Sequence, residues 1–168
     1  MGQTAHFATT VSPVTIHLVR HASAGLRSAF HDGDDLARPL DERGHGQAEA
    51  LVDHFGDAPV RAIWSSMATR CVQTVQPLAT ARGLAIEERR ELTEGARSVL
   101  LLELLRDQVL LEGDIVMCSH GDLIPEVLNR LLREGMSVIG GRGCEKGSVW
   151  SLETRGRDIV SGTYTAAP

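Results

Sequence analysis

With 168 residues, 42% of them hydrophobic, the chain is long enough to bury one sizeable core and short for a second full domain. Its formal net charge of -5 and pI near 5.8 argue against a protein whose main task is to lie along nucleic acid or an anionic membrane, because either needs a basic excess. An anion bound here must meet a local cluster of cations.

The first thirteen residues lack the basic n-region and apolar run of a secretory signal or membrane span, and read as a flexible N-terminal tail (1–13) ahead of a single domain, 14–168. Met1-Gly2 opens like a myristoylation site, but position 6 is His6 where Ser or Thr is wanted. Val14 to Val19 is a β-branched, apolar run that predicts a strand ending in Arg20-His21. A polar loop follows to Pro39. Asp41 is placed to cap a helix whose apolar stripe is Ala48, Leu51, Val52 and Phe55. Val60 to Trp64 reads as a second strand.

Ser65-Ser66 then opens a helix with Ala68, Cys71, Val72, Val75 and Ala79 on one face, which Pro77 is expected to kink or break. A short strand near Leu84 to Ile86 precedes a leucine-rich helix over Arg97 to Leu111, closed by Gly113. Ile115 to Cys118 has the pattern of a buried strand and ends in Ser119-His120. Asp122 is a candidate cap for a fourth helix, with Leu123, Val127, Leu128 and Leu131 inward and Pro125 in the first turn. Gly135 to Gly147 reads as a loop, and Ser148 to Thr154 with Asp158 to Tyr164 as a hairpin across Gly156.

Strands alternating with helical patterns predict an α/β fold: a three-layer αβα sandwich with a mainly parallel sheet and a C-terminal hairpin at its edge. Arg20-His21, Ser65-Ser66 and Ser119-His120 all fall at the carboxyl ends of predicted strands, the edge where open α/β sheets bind ligands.

Four segments carry the chemistry: Leu18-Val19-Arg20-His21-Ala22, Ser65-Ser66-Met67-Ala68-Thr69-Arg70, Leu92-Thr93-Glu94-Gly95, and Cys118-Ser119-His120-Gly121-Asp122. In this order the chain resembles the histidine phosphatase superfamily, also called phosphoglycerate mutase-like. The resemblance implies a phosphatase in which His21 is phosphorylated, Arg20 and Arg70 grip the phosphoryl oxygens, His120 bonds them as charge develops, and Glu94 serves as proton donor. Ala22 stands where glycine is most frequent after the nucleophile, and Met67 replaces a frequent proline. Full mutases are longer, so hydrolysis is the expected outcome.

The residue chemistry agrees. A phosphomonoester dianion met without a metal needs at least two fixed cations and directed N–H donors, and arginine forks fit its oxygens as lysine does not. An imidazole attacks only through an unprotonated nitrogen, and neighbouring guanidinium charges favour the neutral ring of His21. Backbone N–H groups at Gly121 add to the cradle. Glu94 has to carry a proton near neutrality, which burial or the phosphate dianion would favour. Ser23 and Arg27 follow the nucleophile closely enough to reach the phosphate or the rest of the substrate. No cofactor or metal is expected.

The run from Arg20 to Arg27, with Gly33-Asp34-Asp35 and Arg38-Pro39-Leu40, is similar to actinobacterial histidine phosphatase domains, including those fused behind Nudix domains. That similarity implies a small phosphorylated metabolite or nucleotide as substrate; dephosphorylation of a phosphohistidine protein is the alternative within enzymes, and a non-catalytic phosphate-binding scaffold the alternative outside them. Neither a nucleic acid nor a membrane is an expected partner, and the oligomeric state is not legible. Cys71, Cys118 and Cys144 are odd in number, widely spaced and without a C-x-x-C pattern, as suits a reducing cytoplasm. His6, His17, His31, His45 and His54 match no ligand spacing and read as surface or packing. Asp32-Gly33-Asp34-Asp35 starts like a calcium loop but lacks its glycine and terminal glutamate, and reads as a polar rim loop.

Overall fold

A computed structural model describes residues 14–30, 35–108 and 113–167. The expected tail, most of the Asp32 to Asp35 loop and the end of the leucine-rich stretch lie outside them. Seven strands form one sheet in the order β3-β2-β4-β1-β6-β7-β5. They are β1 (Thr15–Arg20), β2 (Val60–Ser65), β3 (Ile86–Glu88), β4 (Asp114–Ser119), β5 (Ser137–Ile139), β6 (Val149–Arg155) and β7 (Asp158–Thr165). β1, β2, β3 and β4 are mutually parallel, and β6 runs against both β1 and β7. The expected hairpin is there, but β5 pairs parallel with β7 outside it and forms the edge. This strand falls inside the stretch read as a glycine-rich loop. Three residues are too few to show an alternating pattern, and the pairing partner is what makes them a strand.

The helices are α1 (Glu42–Phe55), α2 (Thr69–Arg82), α3 (Ser98–Asp107) and α4 (Leu123–Arg133). The central strands are apolar on both faces, so each side can take a helical layer. In β1, Val19 packs with Leu51 and Phe55 of α1 and with Val75 and Leu78 of α2. Ile16 and Leu18 pack oppositely, with Leu101 and Leu105 of α3 and Val127 and Leu131 of α4. β4 divides in the same way, Val116 and Cys118 against Ile115 and Met117. The three-layer αβα arrangement follows from this alternation.

Local chemistry sets the helix ends, with several departures from expectation. Asp41 caps α1 by accepting from the Gly44 N–H at 2.8 Å. Pro77 does not end α2, which continues to Arg82. The helix survives because Val75, Leu78 and Ala79 are buried on either side of the lost backbone bond, and that packing outweighs the proline penalty of roughly 3 kcal/mol. α3 ends at Asp107 with Gln108 as its cap residue, so Gly113, at φ +99°, leads into β4 rather than closing the helix. Asp122 makes no cap bond for α4; its own backbone is helical and its carboxylate reaches elsewhere. Among the described residues, no helix is long and apolar enough to cross a membrane.

Candidate active site

The carboxyl ends of β1, β2 and β4 lie side by side, with Arg20 opposite Ser119 and Ser65 opposite Cys118. The residues after β1 and β2 are each held by β4. His21 N–H donates to the Ser119 carbonyl at 2.9 Å, and Ser66 N–H to that of Cys118 at 3.0 Å. Backbone pairing therefore fixes the bases of His21 and Ser66 before any side-chain contact is considered, and His120 follows directly on β4, the strand between them.

His21 is 5% exposed. Its Nδ1 lies 2.8 Å from the Ala22 carbonyl, which can only accept, so Nδ1 carries the hydrogen and Nε2 keeps its lone pair. Burial is the main influence on the ring and disfavours its charged form. The Ala22 bond works the other way, His120, Arg70 and Arg20 add to the lowering, and the pKa falls to about 3. The ring of His120 sits 5.3 Å away, centroid to centroid. Its Nε2 is 2.8 Å from Ser66 Oγ and 3.4 Å from Cys71 Sγ, which fixes the ring from behind.

Arg70, in the first turn of α2, is 1% exposed. Its Nη1 donates to the Asp35 carbonyl at 2.7 Å, and its Nη2 to Glu94 Oε2 at 2.8 Å. The same Nη2 is 3.1 Å from Asp35 Oδ2 and 3.4 Å from His120 Nδ1. Arg20, at the end of β1, donates from Nη1 to the Cys144 carbonyl at 2.5 Å. The Nε atoms of Arg20 and Arg70 are both buried and have no hydrogen-bond partner among the described residues. A buried donor left unpaired costs about 1–3 kcal/mol, and an anion seated between the two guanidiniums would supply acceptors.

A cavity of about 310 Å³ is lined by Arg20, His21, Arg27, Arg70, Glu94, His120 and Gly121, so seven of the eight residues singled out in the sequence converge on one space. Glu94 accepts from Arg70 through one oxygen and from Arg27 Nη2, at 3.1 Å, through the other. Gly121 lies against the Arg20 guanidinium so closely that an added Cβ would stand 2.5 Å from Arg20 Cζ. Gly121→Ala should therefore push Arg20 off its position. Loss of one charge-assisted contact, worth about 1.5–3 kcal/mol, predicts a KM roughly 10- to 100-fold higher with little change in melting temperature. Steady-state kinetics beside a thermal melt checks this, and an unchanged KM would contradict it.

Ser23 is the eighth residue, and the structure turns it away. Its hydroxyl donates to Asp41 Oδ2 at 2.8 Å, its N–H donates to Gln47 Oε1 at 2.9 Å, and it lines a separate depression with Arg43 and Lys146. Proximity in sequence to His21 misled here, because the chain bends at once onto α1.

Four further residues belong to the site's surroundings. Arg38 is 7% exposed, lines the cavity and donates from Nε to Asp35 Oδ1 at 2.8 Å. Lys146 reaches the cavity from the loop before β6. Asp122 accepts from the Gly95 N–H at 2.9 Å and so fixes the turn that follows Glu94. Asp35 faces three arginines. Only the i, i+3 spacing of Asp35 and Arg38 was available in the sequence as a sign of their pairing. Among the other histidines, His17 is buried between Ser151 and Asp114, as a packing role requires. Among the described residues, no group of three or more His, Cys, Asp and Glu side chains is arranged to hold a metal ion.

Comparison with known proteins gives a consistent grouping. Residues 16–100 match the model of the histidine phosphatase superfamily, branch 1. An 8-oxo-(d)GTP phosphatase of Mycolicibacterium smegmatis is 33% identical over 165 residues, covering 94% of this chain and 50% of that protein, so the chain spans about half the length of this curated relative. The protein histidine phosphatase SixA complexed with tungstate shares the fold at TM-score 0.71 and 18% identity, over 90% of this chain and 94% of that one. A mycobacterial glucosyl-3-phosphoglycerate phosphatase shares it at TM-score 0.67 and 17% identity, over 93% of this chain and 99% of that one.

Proposed function

The chain belongs to the histidine phosphatase superfamily, and on that premise we propose that it hydrolyses phosphate monoesters or anhydrides of a small metabolite or nucleotide, without a metal, through a phosphohistidine on His21. The observation that carries this reading is the unprotonated Nε2 of His21, in a cavity shared with Arg20, Arg70 and His120. The name of the M. smegmatis relative supports a nucleotide among the candidate substrates.

Nε2 of His21 attacks phosphorus as the bond to the leaving oxygen breaks, and Glu94 delivers its proton to that oxygen. Arg20, Arg70, His120 and the N–H of Gly121 meet the non-bridging oxygens, where charge is greatest in the transition state. Water then attacks the phosphohistidine, Glu94 takes its proton, and Nε2 is released with phosphate. Glu94 stands where both steps need it, lining the cavity with His21 and holding one oxygen on Arg27 and the other on Arg70, contacts for which an incoming dianion competes.

The test is turnover of a panel of nucleotides, sugar phosphates and a phosphohistidine protein in the presence of EDTA. Hydrolysis of a small ester or anhydride supports the reading, turnover of the phosphohistidine protein alone replaces the substrate class, and a strict need for added divalent metal overturns the mechanism. Glu94→Gln is expected to lower kcat/KM for an alkyl phosphate by about 10²–10⁴-fold. For p-nitrophenyl phosphate, whose leaving group needs no proton, the loss should be under about tenfold. Equal losses on the two esters would remove Glu94 from the donor role.

A further inference from the structure

Arg70 has two carboxylate neighbours, and only one of them has a part in the reaction proposed above. Glu94 meets Nη2 at 2.8 Å and lines the cavity. Asp35 does not line that cavity, yet it touches every arginine on this side of it. Its carboxylate is 2.8 Å from Arg38 Nε, 3.1 Å from Arg70 Nη2 and 3.6 Å from Arg27 Nη2, and its backbone carbonyl accepts from Arg70 Nη1 at 2.7 Å. Burial works to raise the Asp35 carboxyl, but the Arg38 hydrogen bond and the charges of Arg70, Arg38 and Arg27 outweigh it and hold the group below the usual carboxylate range.

The competition at Nη2 gives this hub a purpose. A phosphoryl oxygen can reach Nη2 only by taking the place of a carboxylate. If Glu94 were the sole counter-charge, its displacement would leave Arg70 without a carboxylate partner and held by the Asp35 carbonyl at Nη1 alone. We propose that Asp35 is a positioning residue of the phosphate site: it keeps Arg70 aligned, and balances its charge, while substrate draws Arg70 away from Glu94. The two points of attachment, carbonyl on Nη1 and carboxylate on Nη2, fix the plane of the guanidinium, which a single contact does not. The proposal rests on the phosphatase reading for its kinetic consequences, but not for its binding consequence.

Asp35→Asn keeps the shape and removes the charge. With less negative charge beside the arginines, inorganic phosphate should bind at least as tightly as to wild type, while Arg70 loses the carboxylate that fixes its plane through Nη2 and turnover falls. The expected signature is a kcat lower by about tenfold or more, a KM that does not rise, and a calorimetric Kd for phosphate equal to or below that of wild type. A merely structural role predicts the opposite, a loosened site with KM and the phosphate Kd both higher. Asp35→Glu keeps the charge and carries the test should the Asn variant not fold: within about threefold of wild-type kcat it supports the assignment, and a kcat lower by about tenfold or more overturns it. Unchanged kcat, KM and phosphate Kd in folded Asp35→Asn also overturn it. A wild-type protein that binds phosphate but turns over no ester sinks the phosphatase reading alone, and the phosphate Kd of Asp35→Asn then decides the role of Asp35: a weaker Kd rejects it, an equal or tighter one retains it.

Discussion

His21→Ala should abolish turnover, with kcat lower by roughly 10⁴-fold or more, because the other imidazole lining the cavity, His120, has its Nε2 on Ser66 Oγ at 2.8 Å and its Nδ1 beside Arg70 Nη2. Arg20, Arg70 and His120 remain in the variant, so phosphate binding should persist, and the loss should appear in kcat rather than in KM. In wild type, a quench during turnover should yield a phosphorylated peptide containing His21 that is labile in acid and stable in base. Such a peptide on any other residue, or turnover within tenfold of wild type in the alanine variant, would displace His21 from the mechanism. The same ring also sets a pH dependence. Its pKa is about 3 in the folded protein against roughly 6.5 in an unfolded chain. Between those values the unfolded chain binds the extra proton, so stability falls as pH drops from about 6.5 towards 3, and above 6.5 the ring contributes no slope. His21→Ala should flatten that part of the stability curve. An NMR titration of the unliganded protein should find no protonation step of His21 near 6.5; one there would mean that the ring is more exposed or differently bonded than the structure has it.

What was legible in the sequence was whatever a local pattern records. The apolar runs ending in Arg20-His21 and Ser119-His120 identify strands buried on both faces, and in a parallel sheet the ends of such strands must lie together. Arg70 was legible because helix α2 begins just after its strand, so its first turn stands over the same edge. Cooperative effects were not legible. Pro77 sits in a helix that its neighbours' burial sustains, and the breaking tendency of proline is a local quantity that cannot include that packing. Asp122 has the right type and position for a cap, yet Gly95, twenty-seven positions earlier, offers its N–H instead. Ser23 is two residues from His21 but binds Asp41, because the loop folds onto the start of α1. Asp35 was read as part of a polar rim and of the run similar to actinobacterial domains, with no role of its own. Its three arginine contacts arise from separate segments, and no spacing rule joins positions 27, 38 and 70.

Arg70→Lys should lower kcat/KM by about 10²–10³-fold, far more than a swap of like charges would imply. The guanidinium meets the Asp35 carbonyl through Nη1 and the Glu94 and Asp35 carboxylates through Nη2 while lining the cavity, and one ammonium cannot serve those directions together. A lysine tip drawn to either carboxylate leaves the phosphoryl oxygens one directed donor short, so the loss should fall on kcat as well as KM. Stability is expected to change less. Removing one partner of a fully buried pair costs about 3–5 kcal/mol, but the carboxylates around Arg70 are only part-buried, Asp35 at 24% and Glu94 at 34% side-chain exposure, and they keep Arg38 and Arg27 as partners. A cost nearer about 1–2 kcal/mol follows, within reach of a denaturant titration. The two measurements together separate the roles. A large kinetic loss with a small stability loss fits an arginine held in place for the substrate, whereas a stability loss above about 3 kcal/mol with kcat/KM within tenfold of wild type would make Arg70 a structural ion-pair residue and remove one of the two arginine grips on the phosphoryl group.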